Sequence, residues 1–261
     1  MSKKNEIVKG FSWKAQNDEQ HTRLWKEYCK AFADLEALVQ WRKTLAKTFT
    51  KADALNILNL AFDFGQSTKA IAEFLPASSH VVGVNDSSLL TARAVANVAN
   101  PKASFVLDSL DDLEFDDASF DVVVVQAALY QIKKPETVLK ELKRVLKPKG
   151  KMIVCEPDFS AATFTGSDEC GNAVAEQLLK SMWHADIGKQ LPSLLKTAGF
   201  KAKKPERFNI RWQDFAVVDQ FFDLELLLNF AGFDHTKIQR CIEQLSSAAM
   251  LIPCYAIEST L

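Results

Sequence analysis

The rhythm of apolar and polar positions changes near residue 53. Before it, Trp25, Tyr28, Phe32, Leu35, Leu38, Val39 and Leu45 recur near helical spacing in an otherwise polar stretch, which predicts one or two amphipathic helices. After it, short apolar runs at 55–60, 80–84, 104–107, 120–126 and 151–155 alternate with amphipathic segments at 66–75, 88–97 and 135–147. Four of the five runs are rich in Val, Ile and Leu, as befits strands covered on both faces. Pro135 opens the third helical segment at a first-turn position, and Pro148 and Gly150 close it. Strand alternating with helix predicts an α/β fold with a parallel, doubly wound sheet. A ligand then belongs at the carboxyl ends of the central strands.

Beyond Pro157 the stretch FSAATFTGSDECGN reads as a loop over that edge. Helices are expected at 171–182 and at 189–198, the latter ended by Gly199, then a strand within 200–210. Two further helices, 214–231 and 235–250, precede IPCYAIEST, which alternates as a last strand does.

With 261 residues, 48% of them hydrophobic, the chain can bury a sizeable core in one elaborated domain. Residues 1–50 form its helical cap and 51–261 its body. A formal charge of −1 with dispersed Lys and Arg offers no basic stripe, which argues against a nucleic acid partner. No window approaches the roughly 18 apolar residues of a membrane span, so a soluble, cytoplasmic protein is expected. Cysteines at 29, 155, 170, 241 and 254 show neither a CxxC nor a metal-like spacing with the histidines. The expectation is reduced, buried thiols and no metal.

Two stretches carry more. VVGVNDSSLLTARA (81–94) and FVLDSLDDLEFDDASFDVVVVQAALYQIKKPETVLKELKRVLKPKGKMIVCEPD (105–158), with IGKQLPSLLKTAGF (187–200) further on, resemble the class I S-adenosylmethionine (SAM) dependent methyltransferases of the small-molecule branch. The likeness runs over roughly residues 53–210. It implies a Rossmann-like seven-stranded sheet with N-terminal helices, an antiparallel last strand, and 214–250 as a helical insertion before that strand, suited to a substrate lid. It also implies an enzyme of this fold that uses SAM.

The cofactor turn departs from the family pattern. The family's acid in the first strand is Asn59, and its three glycines are Ala61, Asp63 and Gly65, with Phe62 and Phe64 between them. Glycine serves there because a ligand approaches the backbone closely and φ can be positive. Asn85 stands where the family places the acid that accepts both ribose hydroxyls. Asp63 is ambiguous: beside the cofactor's carboxylate it repels by roughly 3 kcal/mol at 5 Å and an effective dielectric near 20, whereas beside the α-ammonium it helps. Asp108 and Ser109 match the adenine-binding position, or else Asp108 simply starts a turn. Gln126, with Ala127 and Ala128, lies where sulfonium and methyl group belong.

For catalysis, Tyr130 and Gln131 replace histidines frequent in this branch, and His184 precedes the late helix near the pocket. Both Tyr130 and His184 are candidates to orient or deprotonate a substrate; packing and a polar helix entry are the plainer readings. Glu156 and Asp158 either contact substrate or form a solvated loop pair. The 18 phenylalanines, concentrated after 158, suit an apolar metabolite pocket, a helical core or a homodimer face. Two functions follow. One is a SAM-dependent enzyme acting on a small, apolar metabolite through a remodelled turn. The other is a methyltransferase-like protein that no longer methylates, serving as a cyclase- or isomerase-type catalyst or as a binding protein.

Overall fold

A computed structural model describes Phe49 and residues 54–261 apart from Ser167. The expected N-terminal helices, His21 and Cys29 lie outside the described residues. The alternating pattern becomes β1 (Asn56–Leu60), α1 (Gln66–Phe74), β2 (His80–Asn85), α2 (Ser88–Asn97), β3 (Ala103–Leu107), β4 (Phe120–Gln126), α3 (Pro135–Val145) and β5 (Leu146–Pro157). These five strands are parallel, in the order β3-β2-β1-β4-β5. Val123, Val124 and Val125 of the central strand β4 are wholly buried, the expected result of helices on both faces.

The second half is more broken than its pattern suggests. The presumed loop after β5 contains a 3-10 turn, Phe159–Ala161, and the short β6 (Thr163–Phe164). Then come α4 (Asp168–Ser181) and α5 (Ile187–Thr197). The expected strand splits into β7 (Lys201–Ala202) and β8 (Glu206–Trp212). Likewise, the helix expected over 214–231 is two, α6 (Phe215–Phe222) and α7 (Leu224–Phe230). Asp223 separates them in the left-handed region, φ 52°, and caps α7 by accepting from the amide of Leu226. Aspartate tolerates that conformation better than most residues because its short polar side chain bonds locally. Helix α8 (His235–Ser246) and β9 (Met250–Thr260) complete the chain.

Strand β9 runs antiparallel to β5 and also pairs with β6, β7 and β8. The described residues thus form a nine-stranded sheet, of which β6 and β7 are two-residue strands; the remaining seven are those the pattern anticipates. Buried side chains from both faces merge into one continuous core.

One expectation fails outright. Cys170 on α4 and Cys241 on α8 form a disulfide, with Cα atoms 5.4 Å apart. Cys155 and Cys254 are buried and take part in no disulfide, as expected. The pairing is invisible in the sequence because the partners lie 71 residues apart and meet only once two helices have packed. Closing a loop of this size stabilises a fold by about 4 kcal/mol in the chain-entropy model. Reduction, or Cys170→Ser with Cys241→Ser, is expected to lower the chemical denaturation midpoint accordingly. An unchanged midpoint, and a mass showing Cys170 and Cys241 both as thiols in the oxidised protein, would contradict the bridge.

Candidate functional site

Because β1 pairs in register with β2 on one side and β4 on the other, Leu60 opposite both Val84 and Val125, three turns emerge together from the sheet edge. They begin at Ala61, Asn85 and Gln126. The topology therefore gathers the residues around Asn59, Asn85 and Gln126 at one place.

The turn after β1 is closed from within. Asp63 accepts from the amide of Gly65 through Oδ1 at 2.8 Å and from the amide of Ser67 through Oδ2 at 2.9 Å. Gln66 Oε1 accepts from the amide of Phe64 at 2.7 Å. These are amides at the start of α1, where unpaired donors and the helix dipole favour an anion. Asp63 supplies that anion. Phe62 and Phe64 turn away from the sheet edge and are buried in the core. Gly65 has φ +90°, and a Cβ there would lie 2.7 Å from Val98 Cγ2 and 2.9 Å from Phe105 Cζ. Its glycine is thus required by left-handed backbone and by close packing on α2 and β3.

Asn59 is 1% exposed. Its Nδ2 donates to Ser67 Oγ and Thr68 Oγ1, both at 2.9 Å, and its Oδ1 has no partner. Asn85 donates through Nδ2 to the carbonyl of Ala61 at 3.0 Å and accepts from the amide of Ser87 through Oδ1 at 2.8 Å. It ties the first turn to the second, a task for an amide, since a carboxylate has no hydrogen to give. Asp63, Asn85, Thr68, Thr91 and Asn59 line a narrow cleft beneath the first turn, with room for about one water-sized group.

Asp108 accepts from the amides of Ser109 and Glu114, and Ser109 Oγ donates to Asp111. Both oxygens of Asp108 thus hold its own loop, as the turn-starting alternative requires.

At the end of β4, Gln126 is buried and Ala127 adopts a positive φ of 47°. The following residues converge on Glu156. Its Oε1 accepts from the amides of Ala128 and Leu129 at 2.8 and 2.9 Å, and Oε2 from that of Tyr130 at 3.4 Å. Glu156 is wholly buried, and Asp158, 1% exposed, accepts from the amide and hydroxyl of Ser160. The solvated-pair alternative is therefore wrong for both. Burial pushes the Glu156 carboxyl up to about 7, against the opposing pull of the Leu129, Ala128 and Tyr130 amides.

Tyr130 is buried with its ring 5.2 Å from that of Phe159. The amide of His184 donates to the carbonyl of Tyr130, so the two candidates do meet, through backbone. The His184 ring places Nε2 3.3 Å from the carbonyl of Lys133. A carbonyl only accepts, so Nε2 carries the proton and Nδ1 is the acceptor nitrogen in the neutral ring. Among the described residues no cluster of three His, Cys, Asp or Glu side chains is arranged to hold a metal, and no described helix is long and apolar enough to cross a membrane.

A family model described as a methyltransferase domain matches residues 58–154, the stretch from β1 to β5 that carries these turns. Demethylmenaquinone methyltransferase of Clavibacter sepedonicus is 32% identical over 143 residues, 54% of this chain and 57% of that protein. The Streptomyces avermitilis protein of the same name is 34% identical over 124 residues, 48% and 51% of the two chains. The chain thus spans little more than half the length of these relatives. Among solved structures, the (4+2)-cyclase SpnF is similar with a TM-score of 0.58 at 16% identity, over 96% of this chain and 97% of that one. Haemonchus contortus phosphoethanolamine N-methyltransferase 2, in complex with SAM, gives 0.59 at 15%, over 96% and 60%. Both likenesses establish the class I methyltransferase fold.

Glu156 generates a pH dependence of stability. The folded state holds its proton more tightly than a free carboxyl of ordinary value 4.5. Its contribution is therefore fully present below about pH 4.5 and lost as pH rises through about 7. Glu156→Gln is expected to flatten the stability profile between these limits, measured by urea unfolding. A profile with the same slope in the variant would assign the effect elsewhere.

Proposed function

We propose that the chain is a SAM-dependent transferase acting on a small, apolar metabolite. The observation that carries this reading is the registered ending of β1, β2 and β4 within the methyltransferase domain. It sets the Asn59–Gly65 turn, Asn85 and Gln126 beside one another, where the resemblance puts the cofactor's amino acid end, ribose and sulfonium. The relatives named for demethylmenaquinone support an apolar, ring-bearing acceptor.

SAM, when bound, supplies an electrophilic methyl group. The chain's own residues then have to position the acceptor and exclude water. Gln126 and the Ala127–Ala128 backbone face that position from the end of β4, and Glu156 holds their turn in shape. His184 Nδ1 is the acceptor nitrogen available to take a proton if the substrate carries one, with Tyr130 fixing the backbone beside it. We read α6, α7 and α8 as the lid over the substrate side.

A second reading has one observation in its favour: Asp63 already fills the amide site of the first turn. A domain of this kind that has given up methyl transfer would keep the cleft to shape a substrate, and SpnF, similar over nearly all of both chains, is named as a cyclase. Calorimetric titration with SAM and S-adenosylhomocysteine, followed by incubation with a demethylmenaquinone-type acceptor and isotopically labelled SAM, separates the two. Binding below about 1 mM with label transferred to the acceptor is the expected result. Binding without transfer favours the second reading, and no binding up to about a millimolar, roughly 4 kcal/mol of affinity, overturns the cofactor assignment.

A further inference from the structure

The polar groups of the cleft under the first turn are a carboxylate, neutral amides and hydroxyls, with no charged donor among them. Asp63 is a fixed carboxylate whose two oxygens are seated on the amides of Gly65 and Ser67. A third amide of the turn, that of Phe64, is taken by Gln66. Asn59, 1% exposed, spends Nδ2 on Ser67 and Thr68, which leaves Oδ1 as a buried acceptor with no partner. Thr91 Oγ1, also buried and without a partner, lines the same cleft. None of the residues lining it is basic. An acceptor left dry costs free energy until a donor reaches it, and a ligand carboxylate can bring none.

We propose that this cleft takes the ammonium end of a ligand and rejects a carboxylate, so that an adenosyl sulfonium ending in a bare aminopropyl chain binds more tightly than SAM itself. The inference rests on the cofactor assignment above. An ammonium carries three donors and a positive charge. It matches Asn59 Oδ1 and the Asp63 carboxylate together, whereas the carboxylate of SAM meets a like charge and, at Phe64, Gly65 and Ser67, amides already occupied. The cleft has room for about one water-sized group, in keeping with a site for one end group.

The test is calorimetric titration of the full chain with three probes: SAM, its decarboxylated form S-adenosyl-3-methylthiopropylamine, and 5′-methylthioadenosine, which has neither charged group. Decarboxylated SAM is expected to bind at least tenfold more tightly than SAM. Asp63→Asn should shrink that ratio severalfold. Should this variant fail to fold, Asn59→Asp, which adds a charge without touching the turn's amides, is expected to widen it. SAM binding as tightly as the decarboxylated form overturns the inference while leaving the adenosyl site standing. Failure of all three probes up to about a millimolar overturns that site and the inference with it.

Discussion

The carboxylate of Asp63, held by two backbone amides at the head of α1, is the contact on which the shape of the sheet edge depends. A charged acceptor for a backbone N–H is worth about 1.5–3 kcal/mol, and a helix dipole adds to it. Once the turn is closed on its own side chain, Phe62 and Phe64 are free to swing into the core. Gly65 must keep its positive φ to lie against Val98 and Phe105. Asn85 then fastens the carbonyl of Ala61 to the next strand. Side chains that look like damage to a ligand loop become the parts of a self-satisfied turn.

A second carboxyl group does comparable work one strand away. Glu156 gathers the amides of Ala128, Leu129 and Tyr130, and this lets Ala127 persist in a left-handed conformation rare for a residue with a Cβ. Both turns are thus held by a side-chain carboxyl group, the first with Gly65 still required in it. The disulfide between Cys170 and Cys241 ties α4 to α8. A bridge of this kind persists in oxidising surroundings and is usually reduced in a cytosol, which bears directly on the expectation of a cytoplasmic protein.

The strands and the helices of the first half were legible because both faces of the sheet are covered, giving unbroken runs such as VVVV in β4. The break at Asp223 was not, since a single left-handed residue leaves no mark on hydrophobic period. The turn chemistry was partly legible. Asp63, Asn85 and Asp158 each accept from the amide two residues on, the usual local habit of Asp and Asn in turns, and weighing that habit would have shown these side chains to be committed internally. Glu156 and the Cys170–Cys241 bridge could not be read at all. Their partners lie 26 to 28 residues away in the first case and 71 in the second, so only the folded chain brings them together.

Hydrogen exchange of individual amides, followed by NMR, tests most directly whether the first turn is closed by Asp63. In the unliganded protein the amides of Gly65 and Ser67 are expected to be protected, and Asp63→Ala should speed their exchange at least tenfold while leaving the β4 amides unchanged. Rapid exchange of both amides in the natural chain, or rates indifferent to Asp63→Ala, would contradict a turn built on that carboxylate.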